Sequence, residues 1–366
     1  MLHSVYKNEL DLLCIGNAMA DIFANGDAQE LIRHGISKPV QHIETGKLTQ
    51  ILSGIHDYTV VSGGGAANVA KIAGFLGARV GFTGSIGVQA KHAQSEMSGE
   101  PDRFGQLFKK DLEAAGVELG LSLKPLPTGI CLYFRTDEGV IVAASPGAAH
   151  ELSESDINEE DIKKAALVVI DGFMLGRPGL VRHILCLADK YGKKTALDLS
   201  SASIAGGYAK EIMEYSNRYP LILFMNEAEA VAWYQAAASH KGPMDKVCGT
   251  SGKNTPLEEA LSFYKSLTSG RPFPLIVVKL GRRGAAALAG GEIYRAETEP
   301  ITPKESTGAG DAFCAAFLLA WARNRPVSEC AAFGNRAARK ILDETGTKGD
   351  SKKFKDLAES LSDFTR

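Results

Sequence analysis

No two of the six cysteines stand in a CxxC pair: Cys14, Cys131, Cys186, Cys248, Cys314 and Cys330 are scattered, most of them in apolar runs. That spacing excludes a zinc ribbon and a disulfide frame, and points to reduced core residues. Charge of one sign is also missing: 41 Lys and Arg against 43 Asp and Glu leave a net −2, so no electrostatic footprint for nucleic acid or an anionic membrane exists. No apolar run approaches the roughly 18 residues that a membrane span requires. The first ten residues, MLHSVYKNEL, are too polar for a secretory signal, and a soluble, cytoplasmic protein is expected. Eight histidines show no metal-ligand spacing. Neither a dinucleotide fingerprint nor a Walker loop is present: GAGDAF lacks the third glycine, and Gly249-Thr-Ser-Gly-Lys253-Asn has the wrong spacing. What remains is an ordinary globular composition, 45% hydrophobic and 23% charged, in a chain long enough to bury a large core.

The most informative stretch is Glu305 to Trp321, ESTGAGDAFCAAFLLAW. Its first half is a turn, because Gly308 and Gly310 permit backbone angles closed to other residues. Its second half is a helix, with Ala312, Ala315, Ala316 and Leu319 forming a stripe at helical period. A glycine turn opening a helix presents unpaired N–H groups and the positive dipole end to an anion. Asp311 stands at that spot. It serves either as an acidic residue favouring the helix dipole or as the base that takes a proton from a hydroxyl attacking phosphorus.

The rest of the chain predicts an α/β protein. A first strand, Asp11–Ile15, ends at Gly16 and feeds Asn17 and Asp21, where open sheets place ligands. Asn17 and Asp21 could also simply cap a helix. Residues 25–61 read as an excursion from the main sheet. Gly63-Gly64-Gly65 then opens a second helix, whose face carries Val69, Ile72, Ala73 and Leu76, and a strand follows at Arg79–Thr83. Residues 88–101 have no apolar period and are predicted to be a surface loop before a helix from about Arg103 to Ala115. Ile130–Arg135 and Val140–Ala143 form a hairpin. Short apolar strands at Leu167–Ile170, Thr195–Leu197, Leu221–Phe224 and Leu275–Lys279, separated by helices, are the mark of a parallel sheet covered on both faces. Residues 239–256 read as a mobile loop.

Two further motifs carry chemistry. Asn226 and Glu229 have the spacing of a capping box, and Glu229 could also hold water ligands of Mg²⁺ with Asn226 near a phosphate. Lys279-Leu-Gly281-Arg-Arg-Gly284 is either a glycine hairpin or a flat backbone edge for a nucleotide ribose.

GNAMAD at 16–21, GGGAAN at 63–68, NEAE at 226–229, KLGRRGA at 279–285 and STGAGDAF at 306–313 resemble, in order and spacing, the ribokinase-like (pfkB) carbohydrate kinase family. The resemblance covers nearly the whole chain. It implies one kinase domain over 1–366, with a doubly wound, mostly parallel sheet, helices on both faces, and a small β-sheet lid from about 17–62 and 126–145. It implies ATP and Mg²⁺ as cofactors, a small-molecule acceptor, no nucleic acid or membrane partner, and a monomer or homodimer. Asp311 would be the catalytic base, with the amides of Gly308, Ala309 and Gly310 forming an anion hole. Asn17, Asp21, Gly64, Gly65 and Asn68 would hold the acceptor's hydroxyls. Asn226, Lys279, Gly281, Thr307 and Asn335 would bind the nucleotide, and Glu229 with Asn226 would serve Mg²⁺ through water. Many members of the family bind a monovalent cation such as K⁺ near the residue at 305, normally an aspartate; this chain departs from that pattern with Glu305, one methylene longer.

For the acceptor, the early segment GNAMADIFANGDAQELIRHGISKP and LDLSSAS at 197–203 resemble the adenosine-kinase branch. The expectation is therefore γ-phosphoryl transfer to a nucleoside hydroxyl. The alternatives are a ribose- or fructose-type sugar kinase and a non-catalytic nucleoside or sugar sensor.

Overall fold

The structure is a computed structural model that describes residues 9–36, 40–90, 97–239, 255–269, 273–299, 301, 306–342 and 350–363. Glu305, Cys248, the 249–254 stretch and most of the 239–256 loop lie outside the described residues.

Among the described residues fifteen strands, numbered in chain order, make two sheets. They are β1 Leu10–Ile15, β2 Met19–Asn25, β3 Val40–His42, β4 Tyr58–Gly63, β5 Val80–Ala90, β6 Met97–Pro101, β7 Val117–Lys124, β8 Gly129–Thr136, β9 Gly139–Ser145, β10 Ala165–Asp171, β11 Lys194–Asp198, β12 Leu221–Asn226, β13 Leu275–Lys279, β14 Ala285–Ala289 and β15 Glu292–Ala296. The large sheet has the order β15-β14-β13-β12-β11-β10-β1-β5-β6, with β7 also paired to β5. From β13 through β5 to β7 every pairing is parallel, and β6, β14 and β15 join antiparallel. The small sheet has the order β3-β9-β8-β2-β4. The expected α/β class, with a mostly parallel sheet and a separate small one, is what the chain adopts.

Strand periodicity divides the apolar residues between two cores. Leu12, Cys14, Leu167, Val169, Ile222, Phe224, Leu275 and Val277 point to one face of the large sheet. Their neighbours Leu13, Ile15, Val168, Ile170, Leu223, Met225, Ile276 and Val278 point to the other. Helices cover both faces, which explains the unbroken apolar runs. The small sheet is covered on one side only. Ile22, Ala24, Ile130, Leu132 and Phe134 pack under the helices at 28–33 and 45–54. Asp21, Cys131 and Tyr133, one residue out of phase, face the opposite way.

Five helices frame the site: α1 Gly65–Phe75, α2 Arg103–Ala114, α3 Glu227–Ser239, α4 Ala309–Ala322 and α5 Val327–Ile341. Helix α4 packs on both α1 and α5. It is buried from Ala312 to Ala320 without a break, not along a single stripe, because helices and sheet enclose it on every side.

Two expectations are corrected. Residues 88–101 are not simply a loop: β5 runs on to Ala90 and β6 returns antiparallel to it. Gly84, Gly87 and the polar MSGEP of β6 hid the strand pattern, since backbone pairing at a sheet edge needs no apolar alternation. Nor do Asn17 and Asp21 cap a helix, because Met19–Asn25 is a strand.

Candidate active site

The carboxyl ends of the parallel strands deliver polar side chains to one place, as an open α/β sheet does. Asn17 follows β1, Asp171 ends β10, Asp198 ends β11, Asn226 ends β12 and Lys279 ends β13. The small sheet adds Asp21, and the two glycine turns add Gly64, Gly65 and Asn68 from α1 and Gly308, Gly310 and Asp311 from α4. All of these line one cavity of about 360 Å³, together with Glu229 and Thr307. A second cavity of about 240 Å³ is lined by Lys279, Gly281, Gly284, Ala309, Gly310, Phe313 and Asn335. Every sequence-predicted site residue among the described residues lines one cavity or the other.

Asp311 stands in the first turn of α4 and its Oδ2 accepts from Asn68 Nδ2 at 2.9 Å. Burial pushes its carboxyl up to about 7, and Asp198 and Asp171 push the same way. The Asn68 hydrogen bond and Lys279 favour the charged form. A carboxylate that titrates near neutrality holds its proton loosely enough to release it and strongly enough to take one. Gly308 is left-handed, with φ 84°, which opens the helix at this point. The Ala309 N–H is already committed to the Ser306 carbonyl at 3.2 Å. Among the described residues no such bond ties up the Gly308 or Gly310 amide of the expected Gly308–Gly310 set, and the Asp311 amide adjoins them in the first turn of α4.

At the other end of the first cavity, Arg177 Nη2 donates to Asn17 Oδ1 at 2.6 Å. A guanidinium only donates, so the Asn17 carbonyl oxygen must face it and the Asn17 amide NH₂ is left for an acceptor. Asp21 is 4% exposed, and burial raises its carboxyl to about 7, against the pull of Lys71. Lys71 donates to Ser62 O at 3.1 Å and Ser62 Oγ at 2.8 Å behind the glycine turn. Burial lowers its ammonium to about 8 despite Asp111, Asp21 and Asp311. Asp171 Oδ2 accepts from Ala66 N at 3.2 Å, tying β10 to the start of α1.

The Asn226–Glu229 capping box is formed in full: Asn226 N donates to Glu229 Oε2 at 2.8 Å, and Glu229 N to Asn226 Oδ1 at 2.9 Å. Asn226 Nδ2 also donates to Glu229 Oε1 at 2.6 Å. Capping does not exhaust Glu229, because it lines the first cavity while only 2% exposed. Burial raises its carboxyl to about 7, with Asp198 adding and Lys279 opposing. A buried, cavity-facing carboxylate destabilised in this way fits a hydrated divalent cation, whose charge would reverse the shift. Among the described residues no group of three or more His, Cys, Asp or Glu is placed to hold a metal ion.

Lys279 Nζ lies 2.5 Å from Asp198 Oδ2 and 3.8 Å from Cys314 Sγ. Burial works against the ammonium, but Asp198 outweighs it and holds Lys279 protonated. In the second cavity Asn335 is occupied structurally, donating from Nδ2 to Ala296 O at 2.9 Å and Glu297 O at 3.3 Å.

Several residues that shape the site were not singled out in the sequence: Lys71, Arg177, Asp171, Asp198, Phe173, Cys131 and Tyr133. Asp171 and Asp198 carried a usable signal, an acid closing an apolar parallel strand. Cys131 and Tyr133 could have been found as the out-of-phase partners of Ile130, Leu132 and Phe134. Lys71 and Arg177 gave no local sign.

The pfkB family carbohydrate kinase model matches residues 12–353. Adenosine kinase 1 of Arabidopsis thaliana is 25% identical over 348 residues, covering 92% of this chain and 94% of that protein. Ribokinase of Bacillus subtilis (strain 168) is 25% identical over 312 residues, covering 83% and 89%. The fold is shared with adenosine kinase from Sinorhizobium meliloti, at TM-score 0.78 and 24% identity over 97% of this chain and 99% of that one. It is shared equally with a probable sugar kinase from Rhizobium etli CFN 42, at TM-score 0.78 and 23% identity over 97% and 98%. Among the described residues no helix is long and apolar enough to cross a membrane. With the family model spanning both glycine turns and every strand of the site, the chain belongs to the pfkB family of carbohydrate kinases, phosphotransferases with an alcohol group as acceptor.

Proposed function

We propose that this kinase transfers the γ-phosphoryl group of ATP to a hydroxyl of an adenosine-like nucleoside. One observation carries the reading: two cavities meet at Lys279 and Gly310, with Asp311 on the wall of the larger. The smaller cavity, with Gly281, Phe313 and Asn335, takes the nucleotide, and its triphosphate reaches Gly310. The acceptor lies in the larger cavity between Asn17, Asp21 and Asn68. Asp311 takes the hydroxyl proton, the freed oxygen bonds to the γ-phosphorus, and the bond from phosphorus to ADP breaks. The amides of Gly310 and Asp311 stabilise the charge spread over the transferring group. Glu229 and Asn226 would hold Mg²⁺ through water, which when bound neutralises phosphate charge. The small sheet acts as the lid of a single kinase domain, and Cys131 and Tyr133 on its inner face keep water from the acceptor.

Three features favour a nucleoside. Phe173 lines the acceptor cavity with 47% of its surface exposed, which leaves an aromatic face for a base. The acceptor end carries Asp21 and Asp171 against one guanidinium, Arg177, which already donates to Asn17 and to the Ala149 carbonyl, and that balance disfavours a phosphorylated sugar. Arg135 lies on a separate cavity with Asn25 and Asp27. The adenosine kinases among the relatives agree with this choice. The second reading is a free-sugar kinase, supported by the equal identity to ribokinase. ADP release measured across adenosine, other nucleosides, ribose, fructose and fructose phosphates decides the matter. Adenosine is expected to give the highest kcat/KM; preference for ribose or fructose would replace the nucleoside reading. Tight binding with no ADP release would leave a sensor.

A further inference from the structure

Of the described residues, only Lys279 and Gly310 line both cavities, and Lys279 alone has a side chain to offer there. Its ammonium is held at the partition. A Cβ built on Gly310 would sit 3.2 Å from Lys279 Nζ, so the ammonium lies directly against the first turn of α4. The other end of its environment is Asp198, 2.5 Å away, in a pair whose side chains are 15% and 12% exposed. Cys314 Sγ donates to the same Asp198 oxygen at 3.0 Å. A buried ion pair of this kind gives little net stability, because desolvating both charges offsets their attraction. Its position is better explained by use: a flexible four-carbon stem and a point charge can change anionic partner when a stronger one arrives.

We propose that Lys279 is a catalytic residue for the transfer itself, leaving Asp198 to bind the oxygen that bridges the β- and γ-phosphorus atoms. This rests on the kinase reading above. As the acceptor oxygen, relieved of its proton by Asp311, bonds to the γ-phosphorus, the electron pair of the breaking bond passes to that bridging oxygen. The charge developing on ADP is met by the Lys279 ammonium, while the backbone amides of α4 meet the charge on the group in flight. Asp198 keeps the lysine at the partition between turnovers.

The test compares the full chain with Lys279→Met, which keeps the length of the stem and removes the charge. The expected loss in kcat is about 10²–10³-fold, the scale for removing one preorganised stabiliser, with acceptor KM changed by less than about threefold. Affinities for ADP and the β,γ-imido triphosphate should each fall at least about tenfold, and that for AMP, which lacks the β-phosphate, should hold within about twofold. Equal weakening of AMP, ADP and the triphosphate analogue would show a merely structural lysine and overturn the proposal. So would a kcat within about threefold of wild type. Should the unpaired Asp198 prevent folding, the double variant Asp198→Asn/Lys279→Met removes both charges and is read by the same AMP against ADP comparison. The nucleotide titrations need no acceptor. A wild-type chain that binds no adenine nucleotide sinks the kinase reading, whereas a variant that behaves like wild type sinks only the role of Lys279.

Discussion

Two glycine turns open two helices that meet at the Asn68–Asp311 hydrogen bond, and their glycines are there for different reasons. In the turn before α1 the space a side chain would need is filled by protein. A Cβ on Gly63 would lie 2.1 Å from Asp21 Cγ, and one on Gly64 the same distance from the Asn17 carbonyl oxygen, with φ at 102° besides. In the turn before α4 a Cβ on Gly310 would meet only the tip of Lys279, at 3.2 Å. The first turn is small because Asn17 and Asp21 crowd onto it. The second is open except for the Lys279 tip, which leaves room for a ligand to approach the backbone. The same sequence pattern thus marks an assembly joint in one place and, in the function proposed above, an anion nest in the other.

The largest expected effect breaks the comparison at its meeting point. Asp311→Asn should lower kcat by about 10²–10⁴-fold, the scale for loss of a general base, with nucleotide affinity kept. Its stability should move the opposite way. A carboxyl raised to about 7 from the ordinary 3.8 keeps in the folded state a proton that the unfolded chain releases. Wild-type stability therefore falls as pH climbs through that window, and the full cost is present above about 7. Thermal unfolding at pH 8 should find the variant at least as stable as wild type, with the gap closing near pH 4. The two turns themselves are separated by alanine substitutions. Gly310→Ala should fold with a near-normal Tm and lose about 10–100-fold in kcat as the nest is obstructed. Gly64→Ala should lower Tm by several degrees, since a backbone oxygen cannot yield as a lysine tip can, and should raise acceptor KM in the protein that still folds, because the oxygen it strikes belongs to Asn17. Asn68→Ala tests the link between them. Removing a donor to the charged carboxylate should shift the acidic limb of the kcat/KM profile above pH 7 and reduce kcat several-fold. The smallest effect belongs to Arg177→Met, which frees Asn17 to rotate; a several-fold rise in acceptor KM at nearly constant kcat is the expected result.

Much of this site was legible because it is made by the backbone. Glycine turns, strand ends and capping boxes leave local signatures: the Asn226–Glu229 pair is reciprocal in the structure as its spacing suggested. The groups that tune the site left none. Lys71 sits on α1 among residues that read as an ordinary helix, and only the approach of Asp21, Asp111 and Asp311 from three other elements shows why its charge matters. Arg177 reaches Asn17 across 160 positions of sequence. The β5–β6 pairing escaped notice for a related reason: hydrogen bonds along a sheet edge are satisfied by any residue with an N–H and a C=O, so composition carries little trace of them.

The amino-acid sequence alone determined the α/β architecture, the two glycine-opened helices and the acid placed at the mouth of the second, because periodicity and backbone freedom are properties of neighbouring residues. Only the tertiary structure decided that burial raises the Asp311 carboxyl to about 7, that Lys279 stands where two cavities join, and that the Asn17 carbonyl oxygen is taken by Arg177, leaving its amide for the cavity. Those properties depend on burial and on which charges face one another, and both are set by packing between segments far apart in the chain.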